Sequence, residues 1–123
     1  SLLSEIDLLD KRADRIALMT LHASKGLEFE CAFITGLEEE IVPFYLAQTQ
    51  QELEEEKRLL YVGMTRAKQK LFLTRAEKRL WRGKLQHLEP SPFLNKIEEN
   101  LLDLTKYEKT CREKETSNQL SLF

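Results

Sequence analysis

The sequence has 123 residues, 41% of them apolar and 33% charged, with a formal net charge of -2. That is enough chain for one small core and too little for two ordinary domains, and the balance of charge excludes a uniformly basic nucleic-acid binder. No apolar run approaches the roughly 18 residues that a membrane-spanning helix needs, and two cysteines, Cys31 and Cys111, exclude a disulfide framework or a zinc site and suit a reducing cytoplasm.

The first segment, residues 1–14, is polar and mixed, a lead-in or a helix cut from its context. The chain opens on Ser1 and not on methionine, which points to a piece of something larger. Ile16 to Leu21 reads as a short apolar strand, and Ser24 to Phe29, around Gly26, as a turn or short helical segment. "CAFITGL", Cys31 to Leu37, is a second β-branched and aromatic run closed by Gly36. From Gln51 to Thr65 the residues Leu53, Leu60 and Met64 form one helical stripe, with Leu59 and Val62 on a second face, so the spacing predicts a helix buried on two sides. Leu71 to Leu73 makes a third strand, and "SPFLNKIEENLL" from Ser91 predicts a helix capped by Ser91 with Pro92 in its first turn. Strands alternating with helices predict an α/β layer with a mainly parallel sheet flanked by helices. From about Asp103 the chain is charged and poor in branched apolar residues, so residues 103–118 are expected to be a disordered linker.

Charge is segregated along the chain. From Gly26 to Glu56 there are nine acidic residues and no Lys or Arg, whereas Thr65 to Lys84 holds eight basic residues against Glu77 alone. A basic density of that kind can meet phosphate, and a solvated surface accounts for it equally well.

The stretch "TLHASKGLEFE", Thr20 to Glu30, places a histidine, a lysine and two glutamates around one glycine at the mouth of the expected strand. If the strand continues that far, Thr20 and His22 share a face at its carboxyl edge, where open α/β sheets bind ligands, and both can donate to a phosphodiester. Gly26 permits close backbone approach or an unusual dihedral, and Glu28 offers an acceptor for a ribose hydroxyl. On residues alone a second account stands open: His22 satisfies a carbonyl, Lys25 and Glu28 pair on the surface, and Gly26 caps a turn. Further on, "EEEKRLLYVGMTRAKQKLFLT" runs from an acidic helix start to "TRAK" just before a strand. Arg66, at the rigid end of that helix, is placed to reach a γ-phosphate held by another domain, or else to cap the helix carboxyl end.

Together the two stretches resemble the UvrD/Rep/PcrA family of superfamily 1 DNA helicases. "IALMTLHASKGLEFECAFITGLEEEIVPF" is similar to the family's motif V and its following strand, "EEEKRLLYVGMTRAKQKLFLTRA" to its motif VI, and "PSPFLNKI" to the segment after it. The resemblance spans about Arg15 to Leu101. It implies that residues 15–102 are the carboxyl-terminal part of a second RecA-like domain in an ATP-dependent single-stranded-DNA translocase of repair or replication, in a bacterial cytoplasm. It also implies that Thr20 and His22 face single-stranded DNA. Gly26 and Glu28 would then line the nucleotide, with Glu28 at the sugar, and Arg66 would be the catalytic arginine finger on the γ-phosphate. ATP and Mg2+ are the implied ligands. The phosphate loop GxxxxGK[ST] and an acidic metal box are missing from this sequence. The first RecA-like domain that would carry them is therefore an expected partner, and this chain alone is expected to be inactive.

The last five residues, Gln119, Leu120, Ser121, Leu122 and Phe123, resemble the pentapeptide by which bacterial replication and repair proteins bind the β sliding clamp. A glutamine for a pocket rim and leucine and phenylalanine anchors on a polar leader fit such a groove. Two other readings stand beside this one: a subunit of a nuclease-coupled recombination helicase, and a non-enzymatic adaptor docking on the clamp.

Overall fold

The computed structural model describes residues 14–107. Its centre is a β-α-β unit. Strand β1 (Phe29–Ile34) pairs in parallel with β2 (Ala67–Leu73), and helix α1 (Gln50–Met64) lies between them in the chain. Ala32 faces Leu71, Phe33 faces Phe72 and Ile34 faces Leu73, with a bulge between Phe29 and Cys31. Because strand side chains alternate, Ala32, Ile34, Leu71 and Leu73 point to one side and Cys31, Phe33, Lys70 and Phe72 to the other. Of the first set, Ile34 belongs to the core formed with Leu37, Val42, Leu60 and Phe93, and Leu71 and Leu73 pack against it together with Leu21, Ile41, Met64 and Leu94.

Helix α1 starts where its capping chemistry dictates. The Thr49 Oγ1 accepts from the Glu52 N–H (3.2 Å), and the Glu52 carboxylate accepts from the N–H groups of Thr49 (2.9 Å) and Gln48 (3.0 Å). This reciprocal box satisfies amides that a helix start otherwise leaves unpaired. The helix buries Leu60 and Gly63 and half-buries Leu53, Leu59, Val62 and Met64, so both expected faces are used.

Three expectations are corrected. Ile16 to Leu21 is not a strand: it pairs with no strand among the described residues, and without a ladder an apolar run has no reason to hold strand geometry. Ile16 and Leu18 are accordingly 92% and 94% exposed. The segment after Ser91 forms only two single 3-10 turns, Leu94–Lys96 and Glu99–Leu101, with Ile97 and Glu98 extended between them. A continuous helix there would present Leu101, 72% exposed, to solvent with nothing to pack against, and short helices are held by packing more than by propensity. Finally, a second antiparallel pair, β3 (Arg79–Trp81) and β4 (Lys84–Gln86), stands within the run read only as a basic block. Arg82 (φ 52°) and Gly83 (φ 76°) make its two-residue turn in the left-handed region that tight hairpins require.

Candidate functional site

The loop from Thr20 to Glu28 is built by local hydrogen bonds. The Thr20 Oγ1 accepts from the Ala23 N–H (3.2 Å), and the buried Ser24 donates both its N–H (3.2 Å) and its hydroxyl (2.6 Å) to the Leu21 carbonyl. A 3-10 turn, His22–Ser24, results, and it leaves Thr20 and His22 exposed. Gly26 follows at φ 82°, with nothing within 4 Å of the position a Cβ would take, so a ligand can approach its backbone directly. No ion pair joins Lys25 to Glu28, and Glu28 is exposed.

Arg66 closes the site from the other side. Its Nε donates to the Val62 carbonyl (3.1 Å), Nη1 to the Leu27 carbonyl (3.1 Å) and Nη2 to the Thr65 hydroxyl (3.2 Å). Its own carbonyl accepts from the Phe29 N–H at 2.9 Å. The half-buried guanidinium therefore caps the helix end, as one of its two sequence readings expects, and is also stitched to the residue next to Glu28. Among the described residues three of its five N–H bonds are used, and two are left for an anion.

Gly26, Glu28 and Arg66 thus meet at one edge, and it is the amino-terminal edge of the β1–β2 pair, since Phe29 and Ala67 open the two strands opposite each other. The carboxyl-edge expectation is corrected for this reason: the run before the loop is not a strand. Thr20 and His22 lie on the same loop, at its far end. The pentapeptide Gln119 to Phe123 and the expected linker beyond Tyr107 lie outside the described residues. Among the described residues, no three His, Cys, Asp or Glu side chains cluster to hold a metal ion, and no helix is long and apolar enough to cross a membrane.

The basic run is less free to meet phosphate than its composition implies. Lys68 pairs with Glu30 (3.3 Å), Arg79 with Glu38 (2.7 Å) and Arg82 with Glu40 (3.9 Å), so three of the eight basic side chains answer the acidic block. Glu38, 0% exposed, receives Arg79 Nε and Nη2 and the Ala76 N–H (2.7, 3.0 and 2.7 Å). The Arg79 hydrogen bonds hold its carboxyl below the ordinary 4.5, against the opposing push of burial, and the Ala76 N–H adds to them. The hairpin is pinned further by Trp81 Nε1 on Glu40 (2.9 Å) and by Arg82 over the Tyr45 ring (4.1 Å).

A close approach of helix and loop occurs at a glycine that the sequence motifs do not single out. A Cβ at Gly63 would stand 2.4 Å from the Leu21 side chain, so the helix end and the loop touch there only because residue 63 is glycine. A lone glycine inside a helical pattern is the signal that marks such a close approach.

Comparison with known proteins shows the family. Residues 1–78 match the UvrD-like helicase C-terminal domain family. The chain is 47% identical over 115 residues to the ATP-dependent DNA helicase PcrA of Leuconostoc citreum, covering 93% of this chain and 15% of that protein. It is 42% identical over 119 residues to PcrA of Bacillus subtilis, covering 91% and 16%. Against the ATP-dependent DNA helicase Rep of Buchnera aphidicola from Acyrthosiphon pisum the identity is 48% over 88 residues, covering 72% and 14%. The chain therefore spans only about a sixth of the length of these curated relatives.

Proposed function

This chain belongs to the UvrD-like helicase C-terminal domain family, and we propose that it serves as the carboxyl-terminal part of the second RecA-like domain of an ATP-dependent translocase on single-stranded DNA. The observation that carries the reading is the binding of Arg66 to the Leu27 carbonyl, which puts a guanidinium with two uncommitted N–H bonds beside Gly26 and Glu28. In this reading the triphosphate is the substrate, held across a cleft by a phosphate-loop domain that also binds Mg2+.

Arg66 neutralises charge that builds on the transferring phosphoryl group, Glu28 accepts from the sugar, and the open backbone at Gly26 lets the nucleotide approach. Thr20 and His22, exposed on the same loop, face the DNA strand. Because nucleotide and strand then touch one loop, closing and opening of the cleft alters the grip on DNA. In the full-length protein, Arg66→Ala is expected to lower ATP hydrolysis by about a thousandfold or more while nucleotide binding persists. Near wild-type hydrolysis would refute the finger. His22→Ala is expected to weaken the stimulation of hydrolysis by single-stranded DNA, and unchanged stimulation would return His22 to a purely structural place.

The action of the parent protein in repair or replication, and the docking of Gln119 to Phe123 on a bacterial β clamp, belong to the same proposal and rest on the sequence resemblance. Titration of the isotope-labelled chain with a β clamp tests the docking. Amide signals of Gln119 to Phe123 should shift in the wild type and stay unmoved in a Leu122→Ala, Phe123→Ala variant.

A further inference from the structure

The carboxyl end of α1 and the two residues that follow it are fastened to the 20–29 loop at two separate places. At one, Arg66 holds the Leu27 carbonyl and the Phe29 N–H, by 3.1 and 2.9 Å hydrogen bonds. At the other, Gly63 lies against Leu21: a Cβ on residue 63 would stand 2.4 Å from Leu21 Cδ2 and 3.4 Å from Ile34 Cδ1. The first distance is far inside the roughly 3.5 to 4 Å at which two carbon atoms attract. Leu21 in turn governs the turn that follows it, since its carbonyl accepts both donors of Ser24.

We infer that Gly63 is a positioning residue whose missing side chain seats Leu21 on the helix end, so that the turn bearing Thr20 and His22 follows the helix end bearing Arg66. The inference rests on the reading of Arg66 as the nucleotide side of the site and of Thr20 and His22 as its DNA side. It assigns the coupling between those sides to one steric contact.

Helix propensity alone disfavours glycine at this position, because alanine is the better helix former. Space is the reason for it. The atom that an alanine would strike is the tip of a leucine side chain, which can swing away, so Gly63→Ala displaces Leu21 and leaves the helix intact. A compensating change is available: Leu21 Cγ lies 3.7 Å from the position of the added Cβ, an ordinary contact distance. Leu21→Val keeps atoms near that point and removes the clashing one.

The test uses the full-length protein containing this chain, with an oligothymidylate as the DNA. Basal and DNA-stimulated ATP hydrolysis, KM for ATP, oligothymidylate affinity and Tm are measured. Gly63→Ala and Leu21→Val, each alone, are expected to lower the stimulation about five- to tenfold. Basal rate, KM and DNA affinity should stay within about twofold, and Tm within about 5 °C. The double variant should recover at least half of the lost stimulation. Wild-type stimulation in either single variant overturns the inference, as does a double variant no better than the singles, or a loss of stimulation that simply follows Tm. Wild-type hydrolysis in Arg66→Ala would instead remove the site reading itself, an outcome distinct from any failure of the size swap.

Discussion

At the residue scale, the least expected participant is Glu38. It is fully buried and chelated by Arg79 and the Ala76 amide, yet in the sequence it is one glutamate among nine in an acidic stretch. Nothing local marks it, because its partners lie 38 and 41 positions away and only the fold brings them together. Its carboxyl is held below the ordinary value, so its stabilisation is complete above about pH 4.5 and is lost as pH falls through the lower folded value. Glu38→Gln is expected to cost about 2 kcal/mol at neutral pH, since Arg79 is partly solvated and loses less than a fully buried partner would. In urea unfolding, the gap between wild type and variant should narrow as pH falls below about 4.5; a gap independent of pH would contradict the role given to the carboxylate. Glu52, lowered by the amides of Thr49 and Gln48, adds an acid-sensitive share that survives in the variant. Arg66, Gly26 and Glu28, by contrast, are singled out in the sequence by the resemblance of their motifs to a family. Their shared edge is not, because it depends on how the strands pair.

At the element scale, what could be read was whatever carries its own periodicity or cap. Helix α1 was found to within one residue from its apolar stripe, and the signal "TQQE", Thr49 to Glu52, fixes its start. Thr49→Ala is expected to destabilise the protein by about 1 kcal/mol in urea unfolding. A change below the precision of the measurement would mean that tertiary packing alone sets the helix start. The strand expected at Ile16 to Leu21 and the helix expected after Ser91 failed for a common reason. An apolar run predicts the first and a Ser91 cap followed by Pro92 the second, and each lacks, among the described residues, the neighbour whose contacts would stabilise it. The β3–β4 hairpin is hard to read from "RLWRGKLQ" because its strands have three residues each, half of the stretch is polar or charged, and Arg-Gly is a weaker turn signal than Asn-Gly.

At the scale of the whole molecule, the sheet departs from the usual rule that parallel strands are covered on both faces. Phe33 and Phe72 stack across β1 and β2 with ring centroids 4.5 Å apart, yet they are 64% and 42% exposed. A chain presenting such a face is expected to bind the dye ANS. Phe33→Ser combined with Phe72→Ser should reduce that fluorescence severalfold at a cost of about 1 kcal/mol in stability, the worth of an aromatic pair. Undiminished fluorescence would locate the dye elsewhere. The α/β class itself was legible, because alternating elements admit few arrangements. The pairing of β1 with β2 has a further consequence, in time. Ile34 and Leu73 meet across 39 positions of chain, so the sheet cannot begin until α1 and its flanking loops have brought distant ends together. Such non-local closure slows folding, whereas the helix can form within about a microsecond. Lengthening the connection from Gly36 to Thr49 should therefore slow refolding while stability barely changes, since doubling a loop costs only about 0.6 kcal/mol.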